Sequence, residues 1–172
     1  MSKADYKLLI VNELRRMCIN SRFMQMSQYP QHGEVSVCQH CIAVAFMSCW
    51  IAWKLHLNVD YRALIRGALL HDYFLYDWHE RNAGHRLHGF RHPRRALGNA
   101  REDFILTPIE ANIILRHMFP LTLIPPVCLE GWIVCMADKF CALKETLHLT
   151  NEELQEQYWN YGLEPDYFGD DI

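Results

Sequence analysis

The stretch LLHDYFLYDW, residues 69–78, ends an apolar run on a His–Asp doublet and continues at once in aromatics. Titratable groups in such a setting are expensive to bury unless something partners them. With ten His in 172 residues, chance alone supplies roughly half an HD pair per chain, so the doublet gains force only from its surroundings.

Helical phasing provides those surroundings. Tyr61, Leu64, Ile65, Ala68 and Leu69 follow the spacing of a core face, and the next position on that face is Asp72. His71 lies about 100° round the same helix. A second stripe, Gly131, Val134, Cys135, Asp138, Cys141 and Ala142, carries a carboxylate in its middle. His40 stacks over Val44, Met47 and Ile51, and His117 follows Ile109 and Ile113 in four-residue steps. Taken singly, an inward His is ordinarily a hydrogen-bonded core residue. An inward Asp ordinarily pairs with Arg or caps a helix. Four helices that each aim one such group at the core have a common explanation in a metal site, where the ion supplies the missing partner charge.

The elements that must position these residues are helical nearly throughout, with no sustained period-two alternation. The pattern predicts helices over 5–26 and 35–56. Asp60 caps a third helix running to about residue 72. Residues 73–92 form a long connection. Pro93 suits the first position of a fourth helix, 93–103, with His92 at its cap. In TPIE (107–110) Thr107, Pro108 and Glu110 open a fifth helix as a capping box. Pro126 opens a sixth, to about residue 149, and Thr150 with Glu153 marks a short last helix. The acidic end, about 162–172, is expected to be a flexible tail.

A chain of 172 residues that is 51% apolar and 22% charged fits one domain with a substantial core. Its net charge of −3 argues against nucleic-acid polymers as partners. No signal-peptide layout opens it, and the longest apolar run, 42–53, is too short to span a bilayer, so no membrane role is expected. Seven Cys, mostly inside apolar helical patterns, suit small hydrophobes in a reducing cytoplasm. Cys38 and Cys41 form a CxxC, but no second CxxC completes a zinc site and no strand precedes it as a thioredoxin-like motif needs.

His40, His71–Asp72 and Asp138 resemble the pattern of the HD-domain superfamily of metal-dependent phosphohydrolases. The flanks QHCIAVA, ALLHDY and IVCMADKFCALKE agree with it, over about residues 35–145. The resemblance implies an all-α, HD-domain-like bundle of about six to eight helices across 1–172. Many members bind two metals and add two His, for which His92 in HPRRA and His117 in ILRHMFP stand in place. The implied ligand set is His40, His71, Asp72, His92, His117 and Asp138, with Asp72 bridging. His88 rivals His92 in HGFRH. Several binuclear subgroups carry a Lys three residues after the doublet, where this chain has Leu75 followed by Asp77 and His79.

Two divalent ions against two Asp leave net positive charge, which favours a bridging hydroxide and an anionic substrate. The implied chemistry is hydrolysis of a phosphoester by metal-bound hydroxide. His and carboxylate ligands admit Mn, Fe, Co, Ni or Zn. The segment 79–101 holds six Arg and one acidic residue, Glu80, and follows Asp72 in a loop expected beside the metals. Arg forks match phosphate oxygens, so His88, Arg91 and Arg94 are candidate contacts for a small phosphorylated substrate. Tyr73, Tyr76, Trp78 and Phe90 are candidates to stack on a base or sugar, or else core. Two alternatives stay open beside the hydrolase. One is a diiron oxygenase of the same superfamily, which uses the same six ligand types. The other is a non-catalytic module that binds a nucleotide or partner.

Overall fold

The computed structural model describes residues 3–19, 21–32, 35–79 and 87–147. Thr150 with Glu153, the acidic end, Arg81 and Arg86 lie outside the described residues. The fold is all-α. Its helices are α1 (Lys3–Cys18), α2 (Val37–Lys54), α3 (Tyr61–Leu70), α4 (His88–Asp103), α5 (Pro108–Arg116) and α6 (Leu129–Thr146). A 3-10 helix, Phe23–Gln28, and two short antiparallel strands, β1 (Pro30–His32) and β2 (Val35–Ser36), connect α1 to α2.

The helix α2 is the centre of the bundle. Eleven of its eighteen residues are buried, on most of its faces, because it packs against α1, α3 and α6 at once. Among the described residues it is the helix long and apolar enough to cross a membrane, yet 61% of that window is buried inside the fold. Its composition is that of a core helix. Cys38 and Cys41 belong to this core, and burial pushes the Cys38 thiol well above its ordinary range. On α1 the burial of Tyr6, Ile10, Leu14 and Met17 follows one helical stripe.

Polar groups fix the helices that carry the functional candidates. Asp60 Oδ1 accepts from Ala63 N at 3.0 Å and starts α3, while the Asp60 backbone N–H donates to Glu130 Oε1 of α6 at 2.9 Å. Glu110 closes the capping box of α5 on Thr107 N at 2.9 Å and also takes Arg66 Nε of α3 at 2.8 Å. One buried carboxylate thus starts α5 and fastens α3 to it. The two helices approach closely at Gly67, where an added Cβ would lie 2.9 Å from Ile113 Cβ. Only glycine fits that crossing.

Four boundaries depart from the periodicity. The first helix stops at Cys18, not at 26, because Ser21 Oγ bonds the Met17 carbonyl and accepts from Phe23 N, diverting backbone partners from the helix. The second begins behind a capping box of Ser36 and Gln39. The fourth begins at His88 and contains Pro93, so residues 88–92 are helix rather than connection. His92 Nδ1 lies 3.1 Å from the His88 carbonyl, holding the extra turn together where Pro93, with no N–H, forfeits one backbone bond. The sixth starts at Leu129, three residues after Pro126.

Candidate metal centre

The doublet sits where α3 ends. His71 is its C-cap and keeps helical angles, φ −59° and ψ −32°, so the apolar phasing of α3 carries on to Asp72. His117 is the C-cap of α5, with φ −58° and ψ −27°. Both rings turn back on their own helix. His71 Nδ1 lies 2.7 Å from Ala68 O, and His117 Nδ1 lies 2.9 Å from Ile114 O. Each satisfies a carbonyl that a helix end leaves without a backbone partner. A carbonyl only accepts, so Nδ1 carries the proton and Nε2 is left as a lone pair in the neutral ring. His92 repeats this with the His88 carbonyl. His40 Nδ1 instead faces the buried Glu145 carboxylate at 2.8 Å.

Four rings on α2, the ends of α3 and α5, and α4 therefore point Nε2 to one place. His40 Nε2 lies 3.1 Å from Asp138 Oδ1 of α6. His71 Nε2 lies 3.6 Å from both Asp72 Oδ2 and Asp138 Oδ1. His92 and His117 Nε2 lie 3.1 and 3.4 Å from Asp72 Oδ1 and 2.8 Å from each other. None of the six residues is more than 8% exposed. Ligand-capable atoms gather in two sets, His40–His71–Asp72 and Asp72–His92–His117, each within 4.8 Å. Asp72 belongs to both.

The donor set fits metal. His71 Nε2 and Asp72 Oδ1 are buried without a hydrogen-bond partner among the described residues. Between His92 and His117, two Nε2 lone pairs face each other at 2.8 Å, and burial holds His117 below its ordinary pKa despite Asp72. A cation removes that conflict. Burial alone would push His40 down and Asp138 up, but their hydrogen bond, with Glu145 behind, raises His40 to about 10 and holds Asp138 well below the carboxylate range. Burial is likewise outweighed at His71, raised by the Asp72 charge, and at Asp72, lowered by His71 and His92.

Other candidates fall outside this cluster. His88 faces Tyr76 Oη at 2.8 Å and stacks between Trp78 and His92. Arg91 and Arg94 are exposed. At 100° per residue Arg94 lies about 160° round α4 from His92, and Arg91 about 100°. Arg95 lies only about 60° from His92, with its guanidinium 4.8 Å from the Tyr76 ring. Tyr73 is core, its hydroxyl donating to Asp103 at 2.5 Å, and Phe90 is half exposed. Asp77 and His79 face each other at 3.1 Å.

Two residues at the centre were missed in the sequence. Glu145 had a signal, because it lies two turns after Asp138 on the same stripe. Gln31 had none. It stands on β1, a short strand that no periodicity announces, and its Nε2 donates to Asp72 Oδ2 at 2.6 Å.

An all-α bundle that converges four imidazoles and two carboxylates on a buried point has the donor groups to hold a divalent metal. A family model described as HD domain matches residues 37–143, and the chain belongs to that family, whose members are mostly metal-dependent phosphohydrolases. The two His/Asp clusters fit its metal site. Comparison with curated proteins and with solved structures found no match.

Proposed function

We propose that this chain is a cytoplasmic phosphohydrolase that uses two divalent ions to cleave a phosphoester of a nucleotide or another small phosphorylated metabolite. The observation that carries this is Asp72, whose two oxygens face different imidazole sets. His40, His71 and Asp138 would hold one ion, His92 and His117 the other, and Asp72 both. Such ions lower the pKa of bound water toward neutrality and stabilise charge on phosphoryl oxygens.

The chain's own groups prepare that chemistry. Nδ1 partners on all four His fix the tautomer, so no ring rearranges on loading. Burial keeps bulk water from the carboxylates and strengthens the field on an incoming phosphate. Lys139 Nζ donates to the His117 carbonyl at 2.9 Å, anchoring that ligand to α6. On the His92 side of α4, Arg95, Tyr76 and His88 form a charged and aromatic rim. Arg95 would grip phosphate there, and His88 would donate a proton to the leaving group or contact substrate. Arg91 and Arg94 would act as outer attractors for an anion.

The test is metal analysis of purified protein with a phosphate-release screen over nucleotides and sugar phosphates, run anaerobically with Mn or Co. Phosphate release is expected. Turnover that appears only with dioxygen and reduced iron would replace the hydrolase by an oxygenase.

A further inference from the structure

The HD family match begins at residue 37, yet one side chain that reaches the centre comes from before it. Gln31 stands on β1 between Pro30 and His32, and β1 lies against α2 and α6. Its side chain is brought to the end of α3, and Gln31 as a whole is only 6% exposed. Nε2 donates to Asp72 Oδ2 at 2.6 Å. A carboxylate accepts only, so the amide must present its NH2 group there. Its Oε1 is buried with no hydrogen-bond partner among the described residues. A buried amide with one end unsatisfied costs stability, which an apolar side chain of the same size would avoid. Its value to the chain therefore lies in what the other end does.

What that end does follows from the split of Asp72. Oδ2 faces His71 at 3.6 Å, and Oδ1 faces His92 and His117 at 3.1 and 3.4 Å. Rotation of the carboxylate about its last bond would exchange the two oxygens, or turn both toward one imidazole set. The Gln31 bond falls on Oδ2 alone and opposes that rotation. We propose that Gln31 is a positioning residue for the metal centre: it locks Asp72 so that one oxygen serves each half, and so sets the bridge between two ions. This rests on the two-ion centre proposed above.

Gln31→Leu removes the amide and keeps most of the volume, so a side chain that merely packs the hairpin would be replaced without loss. The probe is Mn2+ alone, with stoichiometry and affinity from equilibrium dialysis and low-temperature EPR for exchange coupling between paired ions. Wild-type protein should take up two Mn2+ per chain with a coupled signal. Gln31→Leu should bind at least one of them about 10–100-fold more weakly, the usual consequence of losing a partner of a metal ligand. Its coupled signal should give way to that of isolated Mn2+. Its melting temperature in chelator should fall somewhat, because the buried Asp72 Oδ2 loses its donor, so the metal stoichiometry and the coupled signal decide the role. Gln31→Asn, one methylene too short to reach, should show the same metal defect and serves where the Leu variant does not fold. Wild-type affinity and coupling in the variants would overturn the positioning role and leave the two-ion centre standing. Wild-type protein that takes up no Mn2+, or shows no coupled pair, would overturn both.

Discussion

On one side of Asp72, His40 lies between two carboxylates, Asp138 and Glu145, at 3.1 and 2.8 Å. Those charges overcome burial and hold the ring protonated. On the other side, His92 and His117 turn their Nδ1 to backbone carbonyls and set their Nε2 atoms against each other. The first half can satisfy itself with protons when no ion is present. In the second, each ring commits Nδ1 to a carbonyl, and the described residues bring no separate donor between the two Nε2 atoms. The difference teaches that one centre can be a stable ion-pair cluster in one half and a cation trap in the other. The carboxylate that joins them is where both should fail together.

The largest effect is therefore expected at Asp72. Asp72→Ala removes the only carboxylate shared by the two imidazole sets among the described residues. Metal content should fall to near zero per chain and phosphate release should drop to background. Retention of two ions would separate the halves and break the comparison.

The next effect separates the halves without metal. His40→Ala leaves Glu145 buried without the imidazole that faces it and leaves Asp138 with His71 alone, and breaking such a buried pair costs about 3–5 kcal/mol. His117→Ala opens a cavity but also relieves the lone-pair conflict, so its net cost in chelator should stay within about 1–2 kcal/mol. Urea unfolding in chelator measures both. With metal added back, His117→Ala should bind one ion where wild type binds two. Equal costs for the two substitutions would show that the His92–His117 half has a proton donor of its own.

A smaller, graded effect is expected in pH. In metal-free protein the raised pKa of His40 stabilises the fold fully below 6.5 and is lost as pH rises through about 10. Asp72 and Asp138, both depressed from 3.8, stabilise above that value and fail as pH falls below it. Metal on His40 and His71 displaces those protons. Chelation should therefore lower the melting temperature by several degrees at neutral pH, and the gap should widen from pH 6 to 9. A gap that narrows with rising pH would place the ion away from the protonated half.

How much of this was legible follows the same division. His40, Asp72 and Asp138 stood out because a titratable group on an apolar helical stripe breaks a periodic pattern, and periodicity survives from sequence to fold. His71 and His117 were legible although they sit at helix ends, because their C-cap residues keep helical angles. The directions of the arginines were not legible because the helix start was not. With α4 begun at Pro93, Arg91 would lie in a loop free to bend inward. With α4 begun at His88, its side is fixed by the 100° step. Gln31 was invisible, since a contact made across 41 residues by a three-residue strand leaves no local trace.

The smallest effect concerns that rim. Arg94 and Arg95 are neighbours with the same charge, so the long-range attraction of an anion changes equally when either is lost. They differ only in direction. Arg95 lies on the His92 side above Tyr76, whose hydroxyl reaches His88, while Arg94 points away. If the rim grips phosphate in ground and transition state alike, Arg95→Ala should raise KM several-fold with kcat little changed, and Arg94→Ala should change KM only as far as salt does. Steady-state kinetics at about 50 and 300 mM salt separates the two, since screening suppresses the general attraction and leaves the direct contact. Equal KM shifts that both vanish at high salt would reduce Arg95 to one more surface charge. A larger shift for Arg94 would mean that substrate enters from the opposite side of α4.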